Sequence, residues 1–344
     1  ELRAVPNLVD SIWQDQPAAP MGEVFAQPLD LAGERHEAKI NRLAADLKAQ
    51  ACVITLPDSI AWLLNIRGSD IPRNPVPHGF AILHKEGRVS LYMAAQKLEG
   101  LGDHFGALVE IQPVEALLPA LKALDGAVQI DPASCPIAVA DVLTDTIEAP
   151  DPCLLPKALK NFAELNGSRA AHLRDAAAMV RFLSWLDVQP LGTLTEIDVV
   201  EKLEAERRAT NALRDISFET ISGAGPNGAI VHYRVTKSTN RTVKEGELLL
   251  VDSGGQYVDG TTDITRTVAI GQVGGEEIRA FTLVLKGMIA ISNLRYPAGM
   301  AGRDLDALAR IALWQNGLDY GHGTGHGVGS YLSVHEGPQR LART

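Results

Sequence analysis

Hydrophobic and polar positions in the first 155 residues alternate between helical spacing and short apolar runs. Ile40, Leu43, Ala44 and Leu47 recur at helical spacing, which predicts a helix over residues 34–50. Further helices are predicted at 59–64 and 113–124, and strands at 52–56, 80–83, 89–93, 108–111 and 128–130. We therefore expect an α/β domain over residues 31–155, preceded by a proline-containing linker at 1–30.

From residue 156 the helical patterns become longer and the strands pair locally. Helices are predicted at 161–186, 195–208 with Thr195 as the N-cap, 276–292 and 303–314. Strands are predicted at 218–222 and 230–233, ahead of a hairpin at 248–268. This arrangement predicts an α+β domain over residues 156–344.

The predicted hairpin contains two aspartates. The apolar run 248–251 reads as a buried strand that ends at Asp252, the turn is predicted at 253–255, and Asp263 lies on the return strand at 261–268. Burying a carboxylate there is costly unless it is paired or metal-bound, and a shared divalent cation would remove the repulsion between two carboxylates. The alternative is that Asp252 only begins a turn and Asp263 pairs with Arg266 or a surface lysine.

A glycine-rich segment at 321–338 carries three histidines, His322, His326 and His335. So much glycine disfavours a helix or a packed strand and suits backbone that approaches a ligand closely. Imidazole binds Mn, Fe, Co and Zn, whereas a single histidine is more often a core or surface residue. The two segments together predict a two-metal hydrolytic site.

Four motifs resemble a known family, the aminopeptidase P branch of the creatinase/methionine-aminopeptidase "pita-bread" metallopeptidases. They are SIAWLLNIRGSDIPRNPV at 59–76, ISGAGPNGAIVHYR at 221–234, DSGGQYVDGTTDITRT at 252–267 and HGTGHGVGSYLSVHEGP at 322–338. The resemblance implies a creatinase-like α/β domain followed by a pita-bread catalytic domain. It also implies hydrolysis of the bond between an N-terminal residue and a following proline, by a hydroxide that bridges two metal ions.

The same resemblance assigns roles to individual residues. It implies two Mn²⁺ ions, with Co²⁺ or Zn²⁺ as alternatives, held by Asp252, Asp263 and His326. Catalytic roles around the substrate carbonyl fall to His232, His322 and His335. Arg67 and Arg73, on a loop expected to be exposed, are candidates for the substrate side of the cleft, and the alternative for both is a solvated surface arginine.

Two glutamates complete the ligand set of the family, after positions that correspond to the end of this sequence. We therefore expect the sequence to be an internal part of a longer polypeptide, with its catalytic domain incomplete at the C-terminus. A protein that ends at Thr344 is expected to bind metal weakly and to turn over little or no substrate.

Composition limits the possible partners. The net charge of −10 argues against nucleic acid and anionic membranes, and no apolar run approaches the length of a membrane span. Three cysteines without metal-ligand spacing fit buried thiols in the cytoplasm. We expect peptides with proline in second position as substrates and, from the resemblance, a homodimer. A prolidase-like dipeptidase and a non-catalytic pita-bread binding protein remain the alternatives.

Overall fold

A computed structural model describes residue 5 and residues 7–343 of the chain. Residues 1–4 and 6, which belong to the predicted linker, and Thr344, the end of the predicted catalytic domain, lie outside the described residues. Within residues 7–343, no helix has the length and apolar content that crossing a membrane requires.

The first part of the chain alternates short helices and strands, as predicted. Its helices are α1 (Leu8–Ile12), α2 (Leu29–Ala32), α3 (His36–Asp46), α4 (Pro57–Leu63), α5 (Gly102–Phe105), α6 (Leu117–Lys122), α7 (Ile137–Ala140) and α8 (Leu154–Ala158), with 3₁₀ turns at Ala95–Leu98 and Val114–Ala116. Its strands are β1 (Val24–Ala26), β2 (Ala51–Ile54), β3 (Ile66–Gly68), β4 (Phe80–His84), β5 (Arg88–Tyr92), β6 (Val109–Gln112), β7 (Val128–Ile130) and β8 (Thr146–Glu148).

A mixed sheet of six strands, in the order β6-β5-β4-β2-β7-β8, forms the centre of this α/β domain. Successive residues of β2 point to opposite faces, so Cys52 and Ile54 pack against α3 and α4 while Ala51 and Val53 pack against α6. Both faces are covered, which explains why the strands read as continuous apolar runs. Inside the predicted linker, β1 forms a separate antiparallel pair with β3.

The second part has the long helices and antiparallel strands that the sequence predicts. Its helices are α9 (Phe162–Asp187), α10 (Glu196–Arg208), α11 (Gly275–Ser292) and α12 (Gly302–Trp314), with a 3₁₀ turn at Gly225–Ala229. Its strands are β9 (Asp215–Ile216), β10 (Ile221–Ala224), β11 (Leu248–Ser253), β12 (Gly255–Tyr257), β13 (Gly260–Thr261), β14 (Ile264–Ala269), β15 (Gly325–Gly327) and β16 (Glu336–Leu341).

Strand β11 lies in the middle of an antiparallel sheet, between β10 and β14. Leu249 and Val251 are fully buried in a core shared with α9 and α10. Because side chains alternate along a strand, Asp252 points to the opposite face of the sheet. The helices therefore support the strand from one side and leave the carboxylate available on the other.

Two local predictions are wrong. The chain does not reverse at 253–255 but continues into β12, and the tight turn comes between Tyr257 and Gly260. Residues 230–233 form no strand; they follow the 3₁₀ turn at Gly225–Ala229, and His232 has a positive φ of 55°. An apolar pair in a turn resembles the start of a strand when only local spacing is considered.

Candidate metal centre

Asp252 lies within strand β11 and not at a turn. It is paired in register with Ile221 on one side and Thr265 on the other, and the Thr265 hydroxyl donates to its Oδ1 at 2.7 Å. Partial burial raises the pKa of Asp252; the Thr265 hydroxyl opposes this effect and the nearby Asp263 carboxylate adds to it. The Asp263 carboxylate thus lies near enough to act electrostatically on Asp252, as a second ligand of one centre would.

Asp263 faces His326 across the site. The Asp263 Oδ2 atom lies 3.3 Å from His326 Nε2, while His326 Nδ1 lies 2.8 Å from the carbonyl oxygen of Gly327. The contact with Asp263 raises the pKa of His326, with a smaller contribution from Asp252. Arg266 bonds instead to the Thr265 carbonyl, so Asp263 does not form the pair with Arg266 that the alternative reading allowed.

Two further histidines line the same group. The His335 ring meets the His326 ring edge-on at a centroid distance of 4.3 Å, and the His232 ring lies 6.2 Å from His335. Partial burial lowers the pKa of His335, and the neighbouring His326 lowers it further. Residues predicted from segments about 100 positions apart in the sequence therefore converge in space.

His322 is not part of this cluster. Its ring is exposed, packs 4.8 Å from that of Tyr320, and its Nδ1 lies 2.8 Å from the Gly323 carbonyl oxygen. Within residues 7–343, it has no hydrogen bond or ring contact with the other five residues predicted to bind metal or to act in catalysis. Its backbone is nevertheless held from α12, where Arg310 donates to the His322 carbonyl at 2.7 Å and pairs with Asp306.

A buried carboxylate that the sequence analysis missed holds the turn that carries His232. Glu196 is fully buried and accepts hydrogen bonds from the Ala224 backbone, the Asn227 amide and the Tyr233 hydroxyl, at 2.8–3.1 Å. This bonding fixes both ends of the segment on which His232 adopts its left-handed conformation. From the sequence, Glu196 is an ordinary acidic residue in the first turn of a helix. That position does not indicate that it accepts hydrogen bonds from the turn that carries His232.

Arg67 and Arg73 occupy different surroundings. Arg73 is half-buried and pairs with Glu219 at 2.8 Å. The expectation of an exposed loop is wrong for Arg67, which is only 4% exposed and donates to backbone carbonyls, including those of Ser330 and Tyr331. Since its guanidinium is fully engaged inside the protein, it is also not the solvated surface arginine of the alternative reading.

The side chains at this site are of the chemical types that bind divalent metal ions. Two carboxylates and one imidazole, those of Asp252, Asp263 and His326, suit Mn²⁺, Co²⁺ or Zn²⁺. A cation would stabilise the Asp252 carboxylate against burial, the main cause of its raised pKa, and against the repulsion from Asp263. Within residues 7–343, however, no three His, Cys, Asp or Glu side chains already surround a common point that could hold a metal ion. These residues thus supply adjacent donors that are not preorganised as a closed cage.

Gly254, which joins β11 to β12 two residues after Asp252, is predicted to be essential for the geometry of this region. A Cβ atom here would overlap the Thr262 carbonyl oxygen and Ser217 Oγ, and the carbonyl cannot rotate away. We expect Gly254→Ala to lower the free energy of unfolding by about 3 kcal/mol, the upper part of the usual range for overpacking. Urea unfolding measures this loss.

The matched control is Gly102→Ala, because nothing lies within 4 Å of a Cβ atom added there and the backbone is helical. We expect it to be neutral or to stabilise by up to about 1 kcal/mol. A Gly254→Ala protein that unfolds within about 0.5 kcal/mol of the parent would show that the β11–β12 junction is not sterically closed.

Comparison with known proteins gives two matching family models. The one described as "Metallopeptidase family M24" matches residues 166–344. The one described as "Creatinase/Prolidase N-terminal domain" matches residues 15–164. The matches lie side by side, with the Asp252–His326 group inside the first and Arg67 inside the second.

Curated relatives and solved structures agree with these matches. The "Probable Xaa-Pro aminopeptidase P" proteins of Laccaria bicolor and Aspergillus niger are 43% and 42% identical over 97% of this chain, which covers 54% and 58% of theirs. The chain thus spans little more than half the length of these relatives. The X-prolyl aminopeptidase of Caenorhabditis elegans, titled a cytosolic enzyme with a di-nuclear active site, superposes with a TM-score of 0.93, 36% identity, and coverage of 98% of this chain and 58% of that one. A Bacillus anthracis Xaa-Pro dipeptidase shares the fold, at a TM-score of 0.72, 22% identity, and coverage of 90% and 85%.

Proposed function

We propose that this chain, which belongs to metallopeptidase family M24, carries catalytic groups of an aminopeptidase that releases an N-terminal residue preceding proline. The observation that carries the proposal is the contact between Asp263 and His326, 3.3 Å apart, with Asp252 beside them and His335 at the ring edge of His326. The names of the relatives at 41–43% identity support the choice of substrate.

Asp252, Asp263 and His326 are proposed to hold two divalent ions, for which we favour Mn²⁺. When bound, such ions supply Lewis acidity, which lowers the pKa of water and polarises a carbonyl. His335, whose ring meets that of His326, and His232, whose ring lies 6.2 Å from that of His335, are proposed to hold the substrate carbonyl and to exchange protons with it. The same role is proposed for His322, which would have to turn towards the site from its exposed position.

Proline sets particular demands on such a site. The bond before proline is a tertiary amide without an N–H group, and the ring fixes φ, so the substrate offers a rigid shape and one donor fewer. Recognition must therefore depend on the shape of the ring, on the carbonyl group and on the free N-terminus. We propose that the protein acts in the cytoplasm as a homodimer, on peptides and not on nucleic acid or membranes; the net charge of −10 supports the last point.

The test is release of the N-terminal residue from an Xaa-Pro-Pro peptide, with added Mn²⁺ and with chelator. We expect turnover that requires Mn²⁺ and that chelator abolishes. The intact mass of the sample must be measured first, because we predict little turnover from a polypeptide that ends at Thr344. A longer polypeptide that neither binds Mn²⁺ nor cleaves the peptide would refute the proposal and favour a non-catalytic binding protein.

Substrate length separates the aminopeptidase from a prolidase-like dipeptidase. A dipeptidase needs a group that binds the free carboxylate of the substrate, whereas an aminopeptidase needs an open path for the rest of the peptide. We expect faster cleavage of Xaa-Pro-Pro-Xaa than of Xaa-Pro. The opposite order would support the dipeptidase.

A further inference from the structure

The segment that carries His335 is held partly by residues of the first domain and of the stretch that directly follows it. We call residues 330–336 the His335 segment. Its contacts extend to Arg67, Asn74, Lys157 and Lys160, all about 170 or more positions earlier in the chain. A segment beside the candidate site is therefore fixed in part by Arg67 and Asn74, from the domain that carries none of the predicted metal ligands.

Arg67 makes the most extensive of these contacts. Its Nε donates to the Tyr331 carbonyl and its Nη2 to the Ser330 carbonyl at 2.9 Å. Its Nη1 donates to the carbonyl of Ile66 at 2.8 Å, within its own strand β3. The planar fork of the guanidinium thus joins β3 to two successive carbonyls of the His335 segment, a geometry that lysine cannot reproduce.

Polar contacts continue along the middle of the segment. The Asn74 amide and the Ser333 hydroxyl are hydrogen-bonded, with Asn74 Nδ2 3.2 Å from Ser333 Oγ. Gln256, on β12, donates through one amide group both to the Leu332 carbonyl at 2.9 Å and to the Arg73 carbonyl at 3.0 Å. Hydrogen bonds between the domains therefore extend over the same few residues that Arg67 contacts.

Ion pairs hold the C-terminal end of the segment. Glu336, which follows His335 directly, has a side chain 1% exposed and pairs with Lys157 at 3.1 Å and with Lys160. Lys157 also pairs with Asp58 at 2.6 Å. The stretch that connects the two domains therefore carries the counter-charges of a buried carboxylate next to His335.

Stability alone does not explain this arrangement. Burying a guanidinium among carbonyls, without a carboxylate in hydrogen-bonding contact, costs free energy that an apolar side chain would not. The Tyr331 backbone, moreover, has a φ of 52°, a conformation that non-glycine residues adopt at a cost. Both free-energy costs arise where the backbone is fixed, four residues before His335.

We propose that Arg67 is a positioning residue, through which the first domain holds the His335 segment so that the His335 ring stays against His326. Lys157 and Lys160 hold the other end of the segment through Glu336. The role in turnover rests on the proposed function, whereas the structural role does not. The experiment therefore has two arms. The first does not depend on enzyme activity, and the second measures it.

The first arm is amide hydrogen exchange on this chain and on Arg67→Met, which keeps the aliphatic stem and loses the donors. We expect exchange across the His335 segment to accelerate at least about tenfold, as loss of several charged hydrogen bonds requires. The control is Lys39→Met. Lys39 is also a buried cation of the first domain, but it bonds to the Trp62 carbonyl and to Asn65 and does not touch the segment. We expect that variant to leave exchange in residues 330–336 unchanged.

The second arm is a double-mutant cycle in the Mn²⁺-loaded enzyme with an Xaa-Pro-Pro peptide. We expect Arg67→Met to lower kcat about 10- to 100-fold, the usual effect of displacing a catalytic group by about 1 Å, with little change in KM. In a His335→Asn background the same change should cost less than about threefold, because the group it positions is gone. A residue with only a structural role would lower kcat equally in both backgrounds.

Three results would overturn the inference: unchanged exchange in residues 330–336, an unchanged kcat, or an equal loss in both backgrounds. Should Arg67→Met fail to fold, Lys160→Met takes its place, since Lys160 is partly exposed and holds the same segment through Glu336. For that variant, the same three results would show that contacts to the His335 segment do not position His335. A longer parent polypeptide that neither binds Mn²⁺ nor cleaves the peptide would refute the proposed function, and the exchange arm would still decide whether Arg67 holds the segment.

Discussion

Asp263→Asn is expected to lower kcat/KM for an Xaa-Pro-Pro peptide by at least about 1,000-fold and to abolish stabilisation by Mn²⁺. Asp263 supplies the carboxylate that contacts His326 at 3.3 Å and acts electrostatically on Asp252. An amide keeps its size but loses its charge, and changes that only surround a metal site already cost 10- to 100-fold. Removing a proposed ligand should therefore cost more.

Thermal unfolding with and without Mn²⁺ gives a measure independent of turnover. Mn²⁺ at about 100 times its Kd would stabilise the parent by about 2.7 kcal/mol, and the variant should show no such shift. The control is Asp259→Asn in the same hairpin, because Asp259 pairs with Arg174 at 2.9 Å and lies outside the cluster. An Asp263→Asn protein that keeps its Mn²⁺ response and a tenth of the activity would show that Asp263 is not a ligand.

Local sequence patterns were sufficient to predict much of the fold. Asn161 and Thr195 cap α9 and α10 through reciprocal hydrogen bonds with the third residue of each helix, so the start of both helices is encoded within four residues. The alternation along β11 likewise places Asp252 opposite the buried Leu249 and Val251. Such features depend only on neighbours in the chain, which is why spacing reveals them.

Features that depend on distant partners could not be predicted in this way. The sequence around Arg67 indicates an exposed loop, because its carbonyl partners at 330 and 331 lie more than 260 positions away. Local spacing predicts a strand at His232, whereas the buried Glu196 holds that segment as a turn. In both cases a buried charged group overrides the local conformational preference. The spacing of hydrophobic and polar residues does not reveal such a group.

A third buried charged group connects α9, α10 and the hairpin that carries the aspartates. Asp175 and Arg207 are both fully buried and form two hydrogen bonds, at 2.6 and 3.0 Å. Asp175 also accepts from the Tyr257 hydroxyl at 2.7 Å and from the Thr262 hydroxyl at 2.9 Å. The residue before Asp263 is thus bonded to the helices behind the sheet.

Arg207→Ala is expected to lower the free energy of unfolding by about 3–5 kcal/mol, because it leaves the Asp175 carboxylate buried without its counter-charge. Its neighbour offers a matched control. Arg208 makes an exposed pair with Glu204 on the same helix, so Arg208→Ala should cost only about 0.3–0.5 kcal/mol. Urea unfolding of both proteins at pH 7 measures the difference. Equal losses would show that the buried pair contributes no more than a surface pair.

The pH dependence of this difference tests its cause. Burial by itself would raise the pKa of Asp175, but the hydrogen bonds and charge of Arg207 hold it below its ordinary value. In the parent, this contribution to stability is therefore complete above the unfolded pKa of about 3.9 and is lost as the pH falls through the lower folded value. Without Arg207 we expect burial to outweigh the remaining hydrogen bonds from Tyr257 and Thr262, so that the folded pKa lies above the unfolded one and protonation relieves the defect. The deficit of Arg207→Ala should accordingly shrink as the pH falls from 7 to 5, whereas a deficit that stays constant would point to lost packing and not to an unpaired charge.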